Sequence, residues 1–312
     1  LMRYLVSRLA SAAVVLLAAF TLAFLLLQAL PGDAVMIRFE NPELGLTPEQ
    51  IAQIRESYGA DAGLLAKYWH ALSGTLSGDL GFSVASGAPV RVLLGEAIPS
   101  TLLLAGLGFV VAAILASILA FASTLSRFGW LRNFLRSLPS LFVSVPVFWL
   151  GIVLIQVFSF RLGWISVIRP GPLESLILPV LTLAVPISAP LAQVLVRAID
   201  DVKAAPFVTV VRAKGASEAW ILVRNVLRNA ALPTLTIAGV LLGELIGGAV
   251  VTETVFARFG LGRLTASALE GQDTPVLQGI VILAAFAFVV VNLIVDLIAP
   301  AIDPRLARRV AA

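Results

Sequence analysis

Two acidic side chains sit inside long apolar runs of this sequence, Glu244 in GVLLGELIGG and Asp296 in VNLIVDLIAP. At mid-bilayer each would cost about 2.5–3.5 kcal/mol on insertion scales, so acids in such places are functional candidates by default. Glu244 precedes Gly247-Gly248, small residues that let another helix approach closely. It is a candidate for a transport pathway or gate, with an interhelical hydrogen bond as the alternative. Asp296 follows Asn292 by one helical turn, and the pair reads as structural hydrogen bonding within the membrane. Other chemistries are thinly supplied. His70 is the only histidine and cysteine is absent, so no metal site is expected. None of Lys67, Lys203 and Lys214 lies in a Gly-Lys-Ser/Thr phosphate loop, so this chain is expected to hold no nucleotide or other cofactor. No Gly-x-Ser-x-Gly elbow is present, and two acids on separate helices do not make a catalytic constellation. The chain is expected not to be an enzyme.

The densest positive charge lies in Lys203–Pro233, KAAPFVTVVRAKGASEAWILVRNVLRNAALP. Between the two flanking apolar spans, Arg197, Lys203, Arg212, Lys214, Arg224 and Arg228 face only Asp200, Asp201 and Glu218, which places the loop in the cytoplasm. Apolar residues recur at helical spacing through it: Phe207, Val210 and Val211, then Trp220, Val223 and Leu227. Between the two runs, Gly215 suits the left-handed end of one helix and Ser217 the cap of the next, with Glu218 in its first turn. The result is a helix-turn-helix with an apolar face at the membrane surface. It either lies on anionic lipid or is offered to a cytoplasmic partner.

What must position these residues is a set of membrane spans. With 59% hydrophobic and 13% charged residues, against roughly 25% charged in a soluble domain, the chain cannot cover itself with polar surface in water. Leu9–Leu30 is free of charge and long enough to cross about 30 Å of hydrocarbon. It exceeds a signal-peptide core and lacks a small-residue cleavage site, so it reads as an uncleaved first span. Five more are expected at 97–126, 137–160, 175–196, 229–251 and 274–299. Pro139 and Pro146 should kink the third, and Pro179, Pro186 and Pro190 should break the fourth, where neighbours can satisfy freed carbonyls. Arg127, Arg132 and Arg136 fill one loop without an acid, whereas 31–96 carries 4 basic and 8 acidic residues. Both termini are therefore expected in the cytoplasm, and the charge pattern is that of a lipid-embedded inner-membrane protein, not of a nucleic-acid binder.

The hydrophilic segment 31–96 has its own helix signals. Thr47-Pro48-Glu49-Gln50 supplies an N-cap, a first-turn proline and the glutamine of a capping box. A second helix is expected from near Asp61, burying Leu64, Leu65, Tyr68, Trp69 and Leu72, before Gly78–Ser83 turns into an extended piece. About 65 residues make a thin core, so this cap should pack on the membrane domain or a partner. Thr252–Asp273 is too polar for a span and too apolar for a free loop. It reads as an exoplasmic element folded back on the pathway, or as a packed connector.

Arg212-Ala213-Lys214-Gly215, followed by Leu227-Arg228-Asn229-Ala230-Ala231-Leu232-Pro233, resembles the cytoplasmic loop of bacterial ABC-importer permeases of the dipeptide/oligopeptide/nickel branch. Pro31-Gly32-Asp33, Leu46-Thr47-Pro48-Glu49-Gln50-Ile51 and Gly78-Asp79-Leu80-Gly81-Phe82-Ser83 resemble the first of the two permease subunits in peptide importers. Phe259-Gly260-Leu261-Gly262-Arg263-Leu264 resembles the family's Pro-Gly-Leu-Gly run, and Asn292 with Asp296 its terminal pattern. The resemblance implies an all-α integral membrane protein with six transmembrane helices in the type I ABC importer permease fold. An N-terminal span (1–30), an exoplasmic insertion (31–96), a transmembrane core (97–299, with coupling loop 203–228) and a cytoplasmic tail (300–312) would follow in order. It also implies that Arg212, Ala213, Lys214, Gly215, Ala216, Ser217 and Glu218 form the coupling helix that docks on an ATPase, and it adds Phe259 and Arg263 to Glu244 as gate candidates. Implied partners are a second six-helix permease (a heterodimer), cytoplasmic ATPases that bind ATP and Mg, and an exoplasmic solute-binding protein. The implied cargo is a di- or oligopeptide or a related small solute. A proton-coupled secondary transporter using Glu244 and Asp296 is the alternative; its mark would be an internal repeat, and none is convincing here.

Overall fold

The computed structural model describes residues 2–28, 47–50 and 63–302, and their side chains except at 2–7, 246 and 295–302. The chain is helical: α1 (Met2–Gln28), α2 (Leu64–Ser77), α3 (Val90–Leu125), α4 (Gly129–Ser144), α5 (Val147–Leu154), α6 (Glu174–Lys203), α7 (Pro206–Ala213), α8 (Glu218–Ile221), α9 (Leu227–Val255), α10 (Leu261–Glu270) and α11 (Thr274–Ile302). Among the described residues five helical stretches are long and apolar enough to cross a membrane, and six if α4 and α5 together make one broken span. Two π-helical segments, Ile155–Arg161 and Leu222–Val226, extend α5 and α8. The chain divides into two compact units, 1–4 with 101–258 and 290–312, and 5–100 with 259–289.

In the first unit, α6 is the most enclosed span, and Leu178, Leu183, Ala184, Leu191, Ala192 and Leu195 are all buried along it. The sequence suggests that Pro179, Pro186 and Pro190 break this span, yet α6 runs unbroken through all three. One reason is visible at Pro179. Lacking an N–H, it frees the carbonyl of Ser175, and the Arg258 guanidinium donates to that oxygen at 3.1 Å and to the Ser175 hydroxyl at 3.3 Å. In the third apolar stretch the bend expected at Pro146 is present, α4 and α5 meeting there at 102°, whereas α4 runs through Pro139 without a break. Proline cannot continue the ladder and pushes its predecessor out of the helical region; Val145 is extended, with ψ 119°.

In the second unit, Val90, Leu94 and Ala97 of α3 pack with Leu261 and Ala268 of α10 and with Val276, Leu277 and Ile280 of α11. Gly279 permits that approach, since a Cβ there would come within 2.9 Å of Val90 Cγ1. The expected capping box at Thr47 forms reciprocally: Thr47 N–H donates to Gln50 Oε1 at 2.9 Å, and Gln50 N–H to Thr47 Oγ1 at 3.3 Å. Pro31-Gly32-Asp33, Ile51 and Asp61 lie outside the described residues. The helix α2 does not bury the residues expected of it. Leu64, Leu65 and Trp69 are exposed, and contact comes through Tyr68, which meets Phe20 and Phe24 of α1 edge-on and shares a 2.8 Å hydrogen bond with Thr21. His70 is also exposed.

Candidate functional site

The polar segment between α6 and α9 is built from two short helices at a tight turn. Pro206 opens α7 at its first position, where the missing N–H costs nothing. Arg212 and Ala213 close α7, and Lys214 leads into Gly215, whose φ of +86° is the left-handed conformation that side chains resist. Ala216 is half-buried against the core. Ser217 caps α8, its hydroxyl accepting from Trp220 N–H at 3.3 Å.

Glu218 ties the element together. Its Oε1 accepts from Arg212 Nε at 2.7 Å, and its Oε2 lies 2.9 Å from Lys203 Nζ, so one carboxylate joins the end of α6, the end of α7 and the start of α8. The hydrogen bond from Arg212, then that from Lys203, holds the Glu218 carboxyl down at about 2. The same bond raises the Arg212 guanidinium above its ordinary value.

Two apolar faces separate on this element. Val208, Ile221, Leu222 and Val226 are fully buried against Ala120, Leu195, Ala198 and Ile199. Phe207, Val210, Trp220 and Val223, four of the six residues picked out by helical spacing, point the other way and are exposed. Spacing found the exposed face and missed the anchoring one, which runs from Val208 of α7 and Ile221 of α8 into Leu222 and Val226 of the π-helical segment. With Arg224 and Lys214 also exposed, the outward face is mixed apolar and cationic.

The intramembrane candidates are more scattered. Glu244 lies on α9 in the first unit with its side chain exposed. Asn292 is half-buried on α11, and the side chain of Asp296 lies outside those described. Phe259 and Arg263 belong to the second unit, at the turn into α10 and on its first turn, and both are exposed. Among the described side chains, the buried acids are two that reading the sequence left in a connector. Because α9 extends to Val255, Glu253 lies inside a helix with no solvent exposure, and Thr101 Oγ1 donates to its Oε1 at 2.6 Å. Asp273, at 2% exposure, accepts from the Ser83 hydroxyl and, at 3.1 Å each, from Val84 and Ala85 N–H. Period-based reading cannot see either, since nothing local distinguishes them from exposed loop acids.

Comparison with known proteins gives these features a setting. Residues 108–308 match the family model described as binding-protein-dependent transport system inner membrane component, and residues 1–105 match its N-terminal companion. The chain is 34% identical over 304 residues to the glutathione transport system permease protein GsiC of Escherichia coli O6:H1, covering 97% of this chain and 98% of that one. It is 33% identical, with the same coverage, to GsiC of Salmonella typhimurium. Among solved structures, the inward-facing MetNI methionine ABC transporter superposes with a TM-score of 0.56 at 19% identity, over 68% of this chain and 97% of that one. An amino acid ABC transporter crystallised with histidines gives 0.53 at 16%, over 68% and 94%. The fold is thus that of type I ABC importer permeases, and the multi-pass helical architecture is that of an inner-membrane protein. This chain belongs to the binding-protein-dependent transport system inner membrane component family, as a permease subunit of an ABC importer.

Proposed function

We propose that the segment Arg212–Glu218 is the coupling element of this permease, that the cargo is a peptide-like solute such as glutathione, and that both termini are cytoplasmic. A second six-helix permease completes the pathway as a heterodimer, cytoplasmic ATPases supply energy from ATP and Mg, and an exoplasmic binding protein delivers the solute. The cargo reading rests on the 34% identity to a glutathione permease over nearly the whole chain.

The observation that carries the coupling role is the two-faced packing of α7 and α8. Val208, Ile221, Leu222 and Val226 fasten the element to the core of the first unit, so it cannot move without α6 and α3 feeling it. Phe207, Val210, Trp220 and Val223 present a surface for a partner. Lys203, Glu218 and Arg212 keep the two helices at a fixed angle. When an ATPase pair closes on ATP, force applied to the outward face passes through this rigid knuckle into the spans. The carboxylate of Glu218 acts internally, as a brace.

The test is uptake in proteoliposomes with partner ATPases and binding protein. Gly215→Val forces a β-branched residue to positive φ, at a cost of roughly 1–3 kcal/mol, and tilts α8 against α7. Uptake per ATP should fall at least about tenfold, a loss of 1.4 kcal/mol in coupling, while insertion and hydrolysis persist. A variant that transports at the wild-type ratio would overturn the assignment. Uptake that follows a proton gradient without ATP would overturn the whole reading.

A further inference from the structure

The basic helix α4 does not belong to the element just described, and its chemistry is unassigned. Arg132 and Arg136 share it with exposed Trp130, Phe134 and Leu141, and exposed Arg127 and Phe128 immediately precede it. At 102° to α5 it leaves the line of that apolar helix. A short helix that is cationic on one side and aromatic on the other is built to lie along a membrane interface.

Between α4 and α6 opens a cleft of about 210 Å³, floored by Leu135 and Val196 and rimmed by Arg136, Ser140, Gln193 and Arg197. Arg136 is paired with Asp200 at 2.9 Å. Arg197 makes no ion pair among the described residues, so the cleft keeps net positive charge beside an apolar floor. That is the inverse of one amphiphile: an anionic oxygen group joined to hydrocarbon.

We infer that this cleft binds the phosphate of an anionic phospholipid, with Arg197 and Arg136 on the phosphate oxygens, Ser140 and Gln193 on the headgroup, and the start of an acyl chain against Leu135 and Val196. Basic pockets between helices on the cytoplasmic side are suited to anionic headgroups. The lipid would come from the cytoplasmic leaflet, which rests on the orientation proposed above.

The chain, delipidated in detergent and titrated with phosphatidylglycerol or phosphatidylcholine, should retain the first in preference to the second by native mass spectrometry. Arg136→Gln with Arg197→Gln should weaken phosphatidylglycerol retention on the order of tenfold, as expected for two arginines each near a lipid charge, and the double lysine variant should keep most of it. Arg197→Gln alone breaks no ion pair, so a partial loss there excludes misfolding as the cause. Equal retention of both lipids, or unchanged retention by either glutamine variant, would overturn the site. Displacement by millimolar inorganic phosphate would show a plain oxyanion site and overturn the lipid. The leaflet is read separately, because the chain contains no cysteine: Asn133→Cys should react with an impermeant maleimide only from the cytoplasmic side. Labelling from outside would overturn the orientation and leave the binding result standing.

Discussion

Two carboxylates in this molecule each hold a polar segment in place, by opposite means. Glu218 is 47% exposed and works through charge, between Arg212 and Lys203. Asp273 is sealed and works through hydrogen bonds, accepting from the Ser83 hydroxyl and the amides of Val84 and Ala85, while Ser86 N–H donates to Ser83 Oγ at 2.9 Å. An exposed ion pair contributes up to about 1 kcal/mol and yields to salt or to a competing partner. A buried carboxylate with several donors is worth far more, and removing it leaves those donors dry. The proposed coupling element is therefore anchored to its core by buried side chains, and only the brace between its two helices is open to salt. The turn from Gly78 to Pro89 is held by a carboxylate closed to it.

The sharpest way to break that contrast is Asp273→Ala. Three donors lose a charged acceptor, and the expected destabilisation is about 3 kcal/mol or more. The thermal midpoint of the purified chain should fall on the order of 5 °C or more, and the 78–89 turn should become a protease site. A variant that melts with the wild type would mean the loop is held by packing alone. Next in size comes Thr101→Val, close in shape but without the hydroxyl. It removes one hydrogen bond to a buried carboxylate, Glu253 Oε1, for an expected loss of about 1.5–3 kcal/mol. An unchanged midpoint there would mean that other donors to Glu253 compensate fully.

How these regions could be found differs as much as how they are held. The helix-turn-helix at Gly215 was legible because its signals are local: a charge cluster, a glycine where φ must be positive, a serine at the following cap. The spans were legible from hydropathy, and the capping box at Thr47 from four adjacent residues. Asp273 and Ser83 are 190 positions apart, and Glu253 and Thr101 are 152 apart, so their meeting is a product of the tertiary fold. The prolines of α6 show the same limit from the other side. The carbonyl that Pro179 frees is met by Arg258, far along the chain. Helical spacing also missed Ile221, Leu222 and Val226, which are buried against α6 by the tertiary fold.

The smallest expected effect is at Glu218, and its dependence on conditions separates the two modes of holding. Its folded carboxyl titrates at about 2 against an ordinary 4.5. A lowered value means that the stabilisation is fully present above the unfolded value and fades as pH falls from about 4.5 through about 2. Wild type should therefore exceed Glu218→Gln by less than about 1 kcal/mol at neutral pH, after allowance for solvent screening. The gap should be flat from pH 7 to pH 5.5 and close below about 4.5, and molar salt should shrink it at any pH. The Asp273→Ala deficit should not respond to salt, since its hydrogen bonds are out of water. A Glu218→Gln gap that persists in molar salt would mean that the brace is not electrostatic, and α7 and α8 would then have to be held at their angle by the buried anchors alone.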